Sequence, residues 1–334
     1  MKILLTGGAG FIGSNFILNF IDKNQILNLD KLTYAGNIEN LNSLKEHPNY
    51  LFNKCDITDS LLLNDIIDKY QPDSIINFAA ESHVDRSIDG PKEFINTNIL
   101  GTYELLNASF KYYQKLDFQK KDFFKFLHIS TDEVYGSLGK DGKFTESTSY
   151  KPSSPYSASK AASDHLVKAW YHTYGLPTLI TNCSNNYGPY QFPEKLIPLV
   201  IVKCLSNEDI PVYGDGQNIR DWIYVDDHCD GILSILLDGK SGESYNMSGN
   251  NELNNLAIVK TILSLMGKSE DQIEFVEDRP GHDFRYSMSS NKIFKELNWK
   301  SKISFEEGIK KTIDWYNENE NIWSSTSDDT LNST

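Results

Sequence analysis

The chain has 334 residues, 39% hydrophobic and 23% charged, which excludes collagen, long coiled coil and wholesale disorder and fits one large or two medium domains. A formal net charge of -14, with no dense Lys/Arg run, excludes a nucleic-acid binder and a protein held on an anionic membrane surface. Cys55, Cys183, Cys204 and Cys229 form no C-x-x-C pair, no apolar stretch reaches about 18 residues, and the run after Lys2 breaks at Thr6–Gly7–Gly8; buried thiols, no membrane span, no signal peptide and a cytoplasmic location are expected.

The run "KILLT" (2–6) predicts a first strand, and "LLTGGAGFIGSN" leads from it into a helix over 11–22. Gly8-x-Gly10-x-x-Gly13 and Gly7-x-x-Gly10-x-x-Gly13 overlap in that turn. In such a pattern one glycine permits the tight turn, one lets the backbone approach a pyrophosphate, and one lets helix and strand pack closely; helix N–H groups then hold the phosphates. "QILNLD" (25–30) predicts a second strand ending in Asp30. A carboxylate there accepts from both ribose hydroxyls of an adenosine half and repels a 2′-phosphate, favouring NAD over NADP. Lys31 pulls slightly the other way, and a plain turn aspartate is the alternative. "YLFNKCD" (50–56) reads as a third strand that brings Asp56 and Ile57 toward the adenine. A helix at 58–69, "DSIINFAA" (73–80), a helix at 92–115 and "KFLHIS" (125–130) continue the alternation. Uninterrupted apolar runs suit strands buried on both faces, so the expected fold is α/β: a doubly wound parallel sheet of Rossmann type with a second, smaller α/β domain.

"HISTDEVYGS" (128–137) sets Thr131, Asp132 and Glu133 at a strand end: a turn, a helix cap or an acid/base pair. The next helix, 155–174, carries Tyr156 and Lys160, whose i, i+4 spacing puts both on one face. A phenol with pKa about 10 is a poor base near neutrality. An adjacent ammonium and a cationic nicotinamide ring would favour phenolate. The plain reading is helix surface, because Tyr-x-x-x-Lys is common by chance. After "PTLITNC" (177–183), "NNYGPYQFPEKLIP" reads as a structured loop and "DWIYVDDHCDGILSILL" (221–237) as a strand entering a helix capped at Asp226 or Asp227. Short helices and hairpin-like pieces complete a smaller domain. The expected division is 1–184 for NAD, with 221–240 returning to it, 185–317 mainly for a sugar nucleotide, and 318–334 as a polar tail.

"TGGAGFIGSN", "NFAAESHVDRS", "NTNILGTYELLNA", "YSASK" and "NNYGP" resemble the extended short-chain dehydrogenase/reductase superfamily. Within it, "DKLTYAGN", "ISTDEVYG", "PYSASKAASDHLV", "NNYGPYQFPEKLIP", "IRDWIYVDDH" and "DRPGHDFRY" match the pattern of the dTDP-glucose 4,6-dehydratase family in order, over residues 1 to about 317. The resemblance implies a hydro-lyase of deoxysugar biosynthesis, for example of rhamnose, that keeps NAD bound and regenerates it each turnover. It implies no metal, and a homodimer through helices near 92–115 and 155–174. Thr131 would position the sugar, Tyr156 would be the base at C4 and Lys160 would hold the nicotinamide ribose. Asp132 would protonate the departing C6 hydroxyl, and Glu133 would remove the C5 proton. NAD contacts are implied for Gly7, Gly10, Phe11, Ile12, Gly13, Asp30, Lys31, Leu32, Thr33, Asp56, Ile57, Phe78, Ala79, Ala80, Glu81, Ser82, Thr97 and Asn186, besides Tyr156 and Lys160. Substrate contacts are implied for Ser82, Thr131, Asn185, Lys195, Leu196, Pro211, Val212, Tyr213, Arg220, Asn255, Asp278, Arg279, Pro280, Gly281 and His282.

Oxidation at C4 acidifies C5–H, which a carboxylate can then abstract, and a C6 hydroxyl leaves only if a neutral acid protonates it. Two adjacent carboxyls serve if one is ionised and one protonated, and their closeness itself raises one pKa. Arg220, Arg279 and Lys195 would hold the diphosphate on a protein of net negative charge. A UDP-glucose 4,6-dehydratase would share these catalytic residues. A UDP-sugar 4-epimerase would give the Asp–Glu pair no task, and an idle NAD-binding scaffold would have no use for the whole set.

Overall fold

The structure, a computed structural model, describes residues 1–324; the last stretch of the expected tail, 325–334, lies outside the described residues. The strands β1 (Lys2–Thr6), β2 (Gln25–Asp30), β3 (Tyr50–Lys54), β4 (Ser74–Asn77), β5 (Lys125–Thr131) and β6 (Thr178–Cys183) fall where the apolar runs place them. Beyond them come β7 (Asn185–Tyr187), β8 (Ile210–Tyr213), β9 (Ile219–Tyr224), β10 (Ser244–Met247), β11 (Glu252–Asn254) and β12 (Ile273–Val276). The main sheet has seven strands in the order β10-β6-β5-β4-β1-β2-β3, every pair parallel.

Successive residues Ile3, Leu4 and Leu5 are all fully buried, as a sheet covered on both faces requires. Phe16, Ile17, Val225 and Ile232 pack on one face, and Leu63, Ile67, Leu105 and Val167 on the other. The edge strand β3 departs from the expectation: Leu51 is 53% and Phe52 37% exposed, because among the described residues β3 is the last strand of the sheet on that side. Chain order reverses between β1 and β4, so the loops leaving their carboxyl ends diverge and open a crevice there.

Helix Pro155–Tyr174 starts where it should, with Pro155 in the first turn and a reciprocal Ser154–Ser157 capping box, and it stops at left-handed Gly175. The expected helix at 92–115 is interrupted. Pro91–Phe94 passes into a π-helical stretch, Ile95–Gly101, before Thr102–Lys115. Asn98 lies in that stretch, its side chain exchanging two hydrogen bonds with the Glu81 backbone (2.9 and 3.0 Å) and donating to Ser159 Oγ (2.8 Å).

The rest of the chain builds a smaller three-stranded sheet, β11-β9-β7, and a parallel β8–β12 pair around Tyr187, Ile197, Val200, Trp222, Ile258 and Ile309. Four expectations are corrected here. Asn185–Tyr187, read as loop, is a strand, because Tyr187 is wholly buried against Trp222, Tyr224 and Phe305. Where hairpin-like pieces were expected in the smaller domain, β8 instead pairs in parallel with distant β12. Helix Val225–Asp238 has no side-chain cap; Asp226 accepts from Asn19 Nδ2 (3.0 Å), and Asp227 accepts from the amides of Lys302 and Ile303 (2.9 and 2.8 Å). The stretch expected as a polar tail is not polar throughout, since Glu320–Ser324 is a helical turn that buries Trp323. All four cysteines are free and buried, and no helix of the described residues is long and apolar enough to cross a membrane.

Candidate active site

The glycine turn sits at the carboxyl end of β1, and each glycine has a different reason. Gly7 has φ +73°, and a Cβ there would lie 2.6 Å from the Ala79 amide nitrogen. A Cβ on Gly13 would lie 2.4 Å from Gly7 O, which is the close helix–turn packing. A Cβ on Gly10 would meet only Gly7 O, at 3.3 Å, so this residue offers the backbone's open approach. Gly10 also caps helix Phe11–Phe20 without a side-chain bond, and the first turn holds no acid. The amides of Phe11 and Ile12 therefore face the crevice beside no competing carboxylate, the environment a pyrophosphate needs. Gly7→Ala is expected to yield protein with little bound dinucleotide and a lower melting temperature, checked by nucleotide release on denaturation and by calorimetry. Full retention of the nucleotide would remove the turn from this role.

The remaining cofactor residues line the same end of the sheet. Asp30 is buried at the end of β2; its Oδ2 accepts from the Ala9 amide (2.9 Å) and its Oδ1 from the Leu32 amide (2.8 Å), so it organises the loop Lys31, Leu32 and Thr33. Lys31, which sequence alone set against Asp30, pairs with Asp56 Oδ2 at 2.7 Å and with it lowers that carboxyl's pKa. Ile57 follows Asp56 and is buried. Phe78, Ala79, Ala80, Glu81 and Ser82 run along the crevice after β4, tied to the π-helical stretch holding Thr97 through Glu81 and Asn98. Asn186 donates to Ser184 O (2.9 Å), and its Oδ1 lies 2.8 Å from His228 Nδ1. The carboxylate at Asp30, the open glycine turn and the bare helix end fit NAD.

Thr131 ends β5, and Asp132 and Glu133 begin a short 3-10 turn, Asp132–Tyr135. The cap of that turn is Thr131: its Oγ1 accepts from the Glu133 amide at 3.3 Å and lies 3.2 Å from Asp132 Oδ1. Asp132 is 2% exposed and its Oδ2 has no partner. Burial first, and the Glu133 charge second, push its pKa well above the usual carboxylate range. Burial also raises Glu133, but Lys195, Arg279 and Arg220 pull it back. Both carboxyls are raised, but their surroundings differ: Asp132 keeps a buried oxygen without a partner, and Glu133 faces three cations, which converge where a diphosphate sugar would enter.

Tyr156 and Lys160 are buried on one face of their helix, as their spacing requires. Lys160 by itself does not bring the Tyr156 phenol down. Burial dominates, and the Glu133 and Asp132 charges add to it, so the Tyr156 phenol is pushed well above 10; a hydrogen bond with the Thr131 side chain is what pulls it down. Lys160 is itself lowered to about 8 by burial. Its Nζ donates to Ile129 O (2.7 Å) and lies 3.2 Å from His128 Nε2. Proximity of Lys160 alone therefore leaves Tyr156 protonated, and the positive nicotinamide ring has to supply the remaining pull.

His128 and Asp164 were not singled out from the sequence. His128 is fully buried, with Asn77 Nδ2 3.1 Å from Nδ1 and Asp164 Oδ1 3.6 Å from Nε2. Asp164 accepts from Ser130 Oγ (2.9 Å) and Tyr150 OH (2.8 Å). Asp164 lies four residues after Lys160, a same-face spacing that sequence does carry.

On the substrate side, Lys195 Nζ donates to Ser82 O (2.7 Å), closing the loop before Leu196 onto the crevice. Arg220 is buried on β9, donating to Ile219 O (2.8 Å) and Asp283 O (2.9 Å) and stacking on Tyr286 at 4.3 Å. Arg279 pairs with Asp85 at 3.1 Å, and Tyr213 OH lies 3.5 Å from the same carboxylate. Asp278 pairs with His282 at 2.6 Å in the loop that carries Pro280 and left-handed Gly281. Asn185 Oδ1 is buried without a partner, and Asn255 opens helix Asn255–Leu265. Pro211 lies on β8; Val212 beside it belongs to the second core at 2% exposure, so only its backbone is available to a ligand.

A family model described as GDP-mannose 4,6 dehydratase matches residues 4–312. The dTDP-glucose 4,6-dehydratase of Xanthomonas campestris pv. campestris is 55% identical over 323 residues, covering 94% of this chain and 92% of that protein. Among solved structures, dTDP-glucose 4,6-dehydratase of Bacillus anthracis in complex with NAD superposes with TM-score 0.89 at 47% identity, over 98% of this chain and 99% of that one. The Streptomyces venezuelae dTDP-glucose 4,6-dehydratase, with NAD and TDP bound, gives TM-score 0.92 at 43% identity over 98% and 100%. With Thr131, Asp132, Glu133, Tyr156 and Lys160 gathered at one crevice and this similarity running nearly end to end, the chain belongs to the nucleotide-sugar 4,6-dehydratase family, among its dTDP-glucose 4,6-dehydratases.

Proposed function

We infer that the chain dehydrates dTDP-glucose to dTDP-4-dehydro-6-deoxy-glucose, as an NAD-dependent hydro-lyase of deoxysugar biosynthesis. The observation that carries the reading is the adjacent pair of carboxyls in unlike surroundings: a buried Asp132 with a partnerless Oδ2, biased toward its acid form, beside a Glu133 set in the field of three cations. An epimerase has no step for such a pair.

Bound NAD would supply the hydride acceptor for C4 and the hydride donor for C6, and its ring charge would favour the Tyr156 phenolate. Tyr156 takes the C4 hydroxyl proton, with Lys160 holding charge and ribose beside it. Glu133 removes the C5 proton that the new ketone has acidified. Asp132, through Oδ2, protonates the C6 hydroxyl so that it leaves as water. Glu133 then returns its proton to C5. Lys195, Arg220 and Arg279 take the diphosphate, for which Arg279 must leave Asp85. We assign 1–184 with 221–240 to NAD and mainly 185–317 to the sugar nucleotide. Cytoplasmic location and a homodimer complete the reading; exposed Ile95, Leu100, Tyr103 and Tyr174 on the two helix regions concerned support the second.

Purified protein incubated with dTDP-glucose, and in parallel with UDP-glucose, should lose water from the first without added NAD. Mass spectrometry of the sugar nucleotide reads this directly. No 4-keto-6-deoxy product from either would end the dehydratase reading, equal turnover of both would remove the base preference, and faster turnover of UDP-glucose would reverse it.

A further inference from the structure

Under the NAD assignment above, on which this inference rests, the cofactor has to stay in its crevice between its reduction and its reoxidation. Lost in between, it would strand the sugar as a ketone. The glycine turn and Asp30 form the floor of that crevice. What closes it lies in residues outside both the glycine pattern and the catalytic set.

Tyr34 sits in the loop that leaves β2 after Asp30. That loop returns to the glycine turn at Asn37, whose amide donates to Ala9 O at 3.0 Å. Midway along it, Tyr34 OH donates to Glu194 Oε1 at 3.3 Å, and the Tyr34 ring stands edge-on to Phe192 at 5.7 Å between centroids. The loop carrying Phe192 and Glu194 is tied down at both ends. Pro189 O accepts from Asn15 Nδ2 on helix Phe11–Phe20 at 2.9 Å, and Lys195 Nζ donates to Ser82 O at 2.7 Å. These contacts close a circuit from Ala9 through Asn37, Tyr34, Glu194, Pro189 and Asn15 back to Ala9. The backbone from Ala9 to Asn15 is one side of it, and that stretch holds Gly10 and the amides of Phe11 and Ile12, where a pyrophosphate binds.

Arg86, on helix Val84–Asp89 after β4, reaches the same place. Its guanidinium lies over the Tyr34 ring, 3.8 Å from the centroid. Its Nε is 3.8 Å from Glu194 Oε2, an oxygen that is buried and has no hydrogen bond. In the sheet, β1 lies between β2 and β4, so a contact between the loop after β2 and the helix after β4 spans the carboxyl end of β1, where the glycine turn sits. A dinucleotide with its adenosine at Asp30 and its nicotinamide beside Tyr156 has to pass that point. Burial first, and the Glu194 charge second, push the Tyr34 phenol well above 10, so it is a donor to Glu194 at any working pH. A cation over a ring and a phenol on a carboxylate are both favourable where water is partly excluded.

We propose that Tyr34, Arg86 and Glu194 form a clasp across the dinucleotide crevice, which slows the escape of NAD and keeps it in place through the catalytic cycle. Among the described residues, none of the three makes a hydrogen bond, ion pair or ring contact with Thr131, Asp132, Glu133, Tyr156 or Lys160. They are positioning residues: they hold together the loops that flank the cofactor, and retention is separable from the chemistry.

The test follows exchange of bound NAD in the holoenzyme against excess isotopically labelled NAD, by mass spectrometry after denaturation, for the parent, Tyr34→Ala and Tyr34→Phe. In Tyr34→Ala, exchange should be faster by roughly ten- to a hundredfold, the size of a lost ring–cation contact together with a lost bond to a carboxylate. Tyr34→Phe keeps the ring under Arg86 and loses only the bond to Glu194, so its rate should fall between the other two. Diluted without added nucleotide, Tyr34→Ala should lose turnover of dTDP-glucose and regain it as NAD is added, which a damaged fold would not do. Exchange at the parent rate in Tyr34→Ala would overturn the clasp, and so would lost turnover that NAD does not restore. A parent that retains NAD but makes no product from dTDP-glucose would overturn the dehydratase reading, while the exchange rates would still decide the clasp.

Discussion

Glu133→Gln should reduce its bound cofactor on mixing with dTDP-glucose and then stall, with the reduced-nicotinamide absorbance persisting and product formation lower by roughly 10²–10⁴, the range of a lost general base. The substitution keeps the shape of the side chain and removes only its charge and basicity. Hydride transfer from C4 does not need it, since Tyr156 and Lys160 lie on another element, Pro155–Tyr174. Abstraction at C5 does. Asp132 cannot substitute, because burial, the first cause of its raised pKa, persists in the variant. Removing the Glu133 charge also takes away one cause of the raised Tyr156 pKa, so the oxidation half-reaction should be no slower than in the parent. Asp132→Asn should fail one step later. It should still exchange the C5 hydrogen with solvent deuterium while losing little water, which mass spectrometry separates from the Glu133→Gln outcome. Elimination at the parent rate in Glu133→Gln would refute the base assignment.

The strands and turns that build this crevice were legible because their causes are local. Six apolar runs of strand length gave six strands of one parallel sheet, and a glycine pattern after the first marked its nucleotide end. Tyr156 and Lys160 were legible through helical spacing. What escaped depends on contacts distant in sequence. Ser244–Met247 becomes the seventh strand by pairing with β6, and its four residues carry no period of their own. The π-helical stretch at Ile95–Gly101 holds Asn98, bonded to the Glu81 backbone seventeen residues earlier, and nothing in "INTNILG" announces it. The spacing of Tyr156 and Lys160 shows one ammonium nearby. It cannot show that the fold also brings Glu133 and Asp132 against the phenol. Asp85, which holds Arg279 from 194 residues away, is equally silent in sequence.

Tyr156→Phe is expected to abolish the first step: no reduced cofactor should appear on adding dTDP-glucose, and turnover should fall by roughly 10²–10⁴. Deleting one oxygen leaves the ring's edge-on packing against Phe94 in place, at 6.3 Å between centroids, so folding should be preserved. The pH dependence then tells how the phenol is activated. Lys160 has its pKa lowered to about 8 by burial, so its positive charge, which favours the phenolate, is present below that pH and lost above it. The rate of cofactor reduction in the parent should therefore decline as pH rises through about 8. In Lys160→Met that alkaline decline should vanish and the rate be low throughout, because the ammonium is absent at every pH. Stopped-flow absorbance over a pH series, carried out in the Glu133→Gln background so that reduced cofactor accumulates, reads both. If the decline survived in Lys160→Met, another group would be titrating. If Tyr156→Phe still reduced cofactor at the parent rate, the proton would be leaving C4 by a route that does not use the phenol.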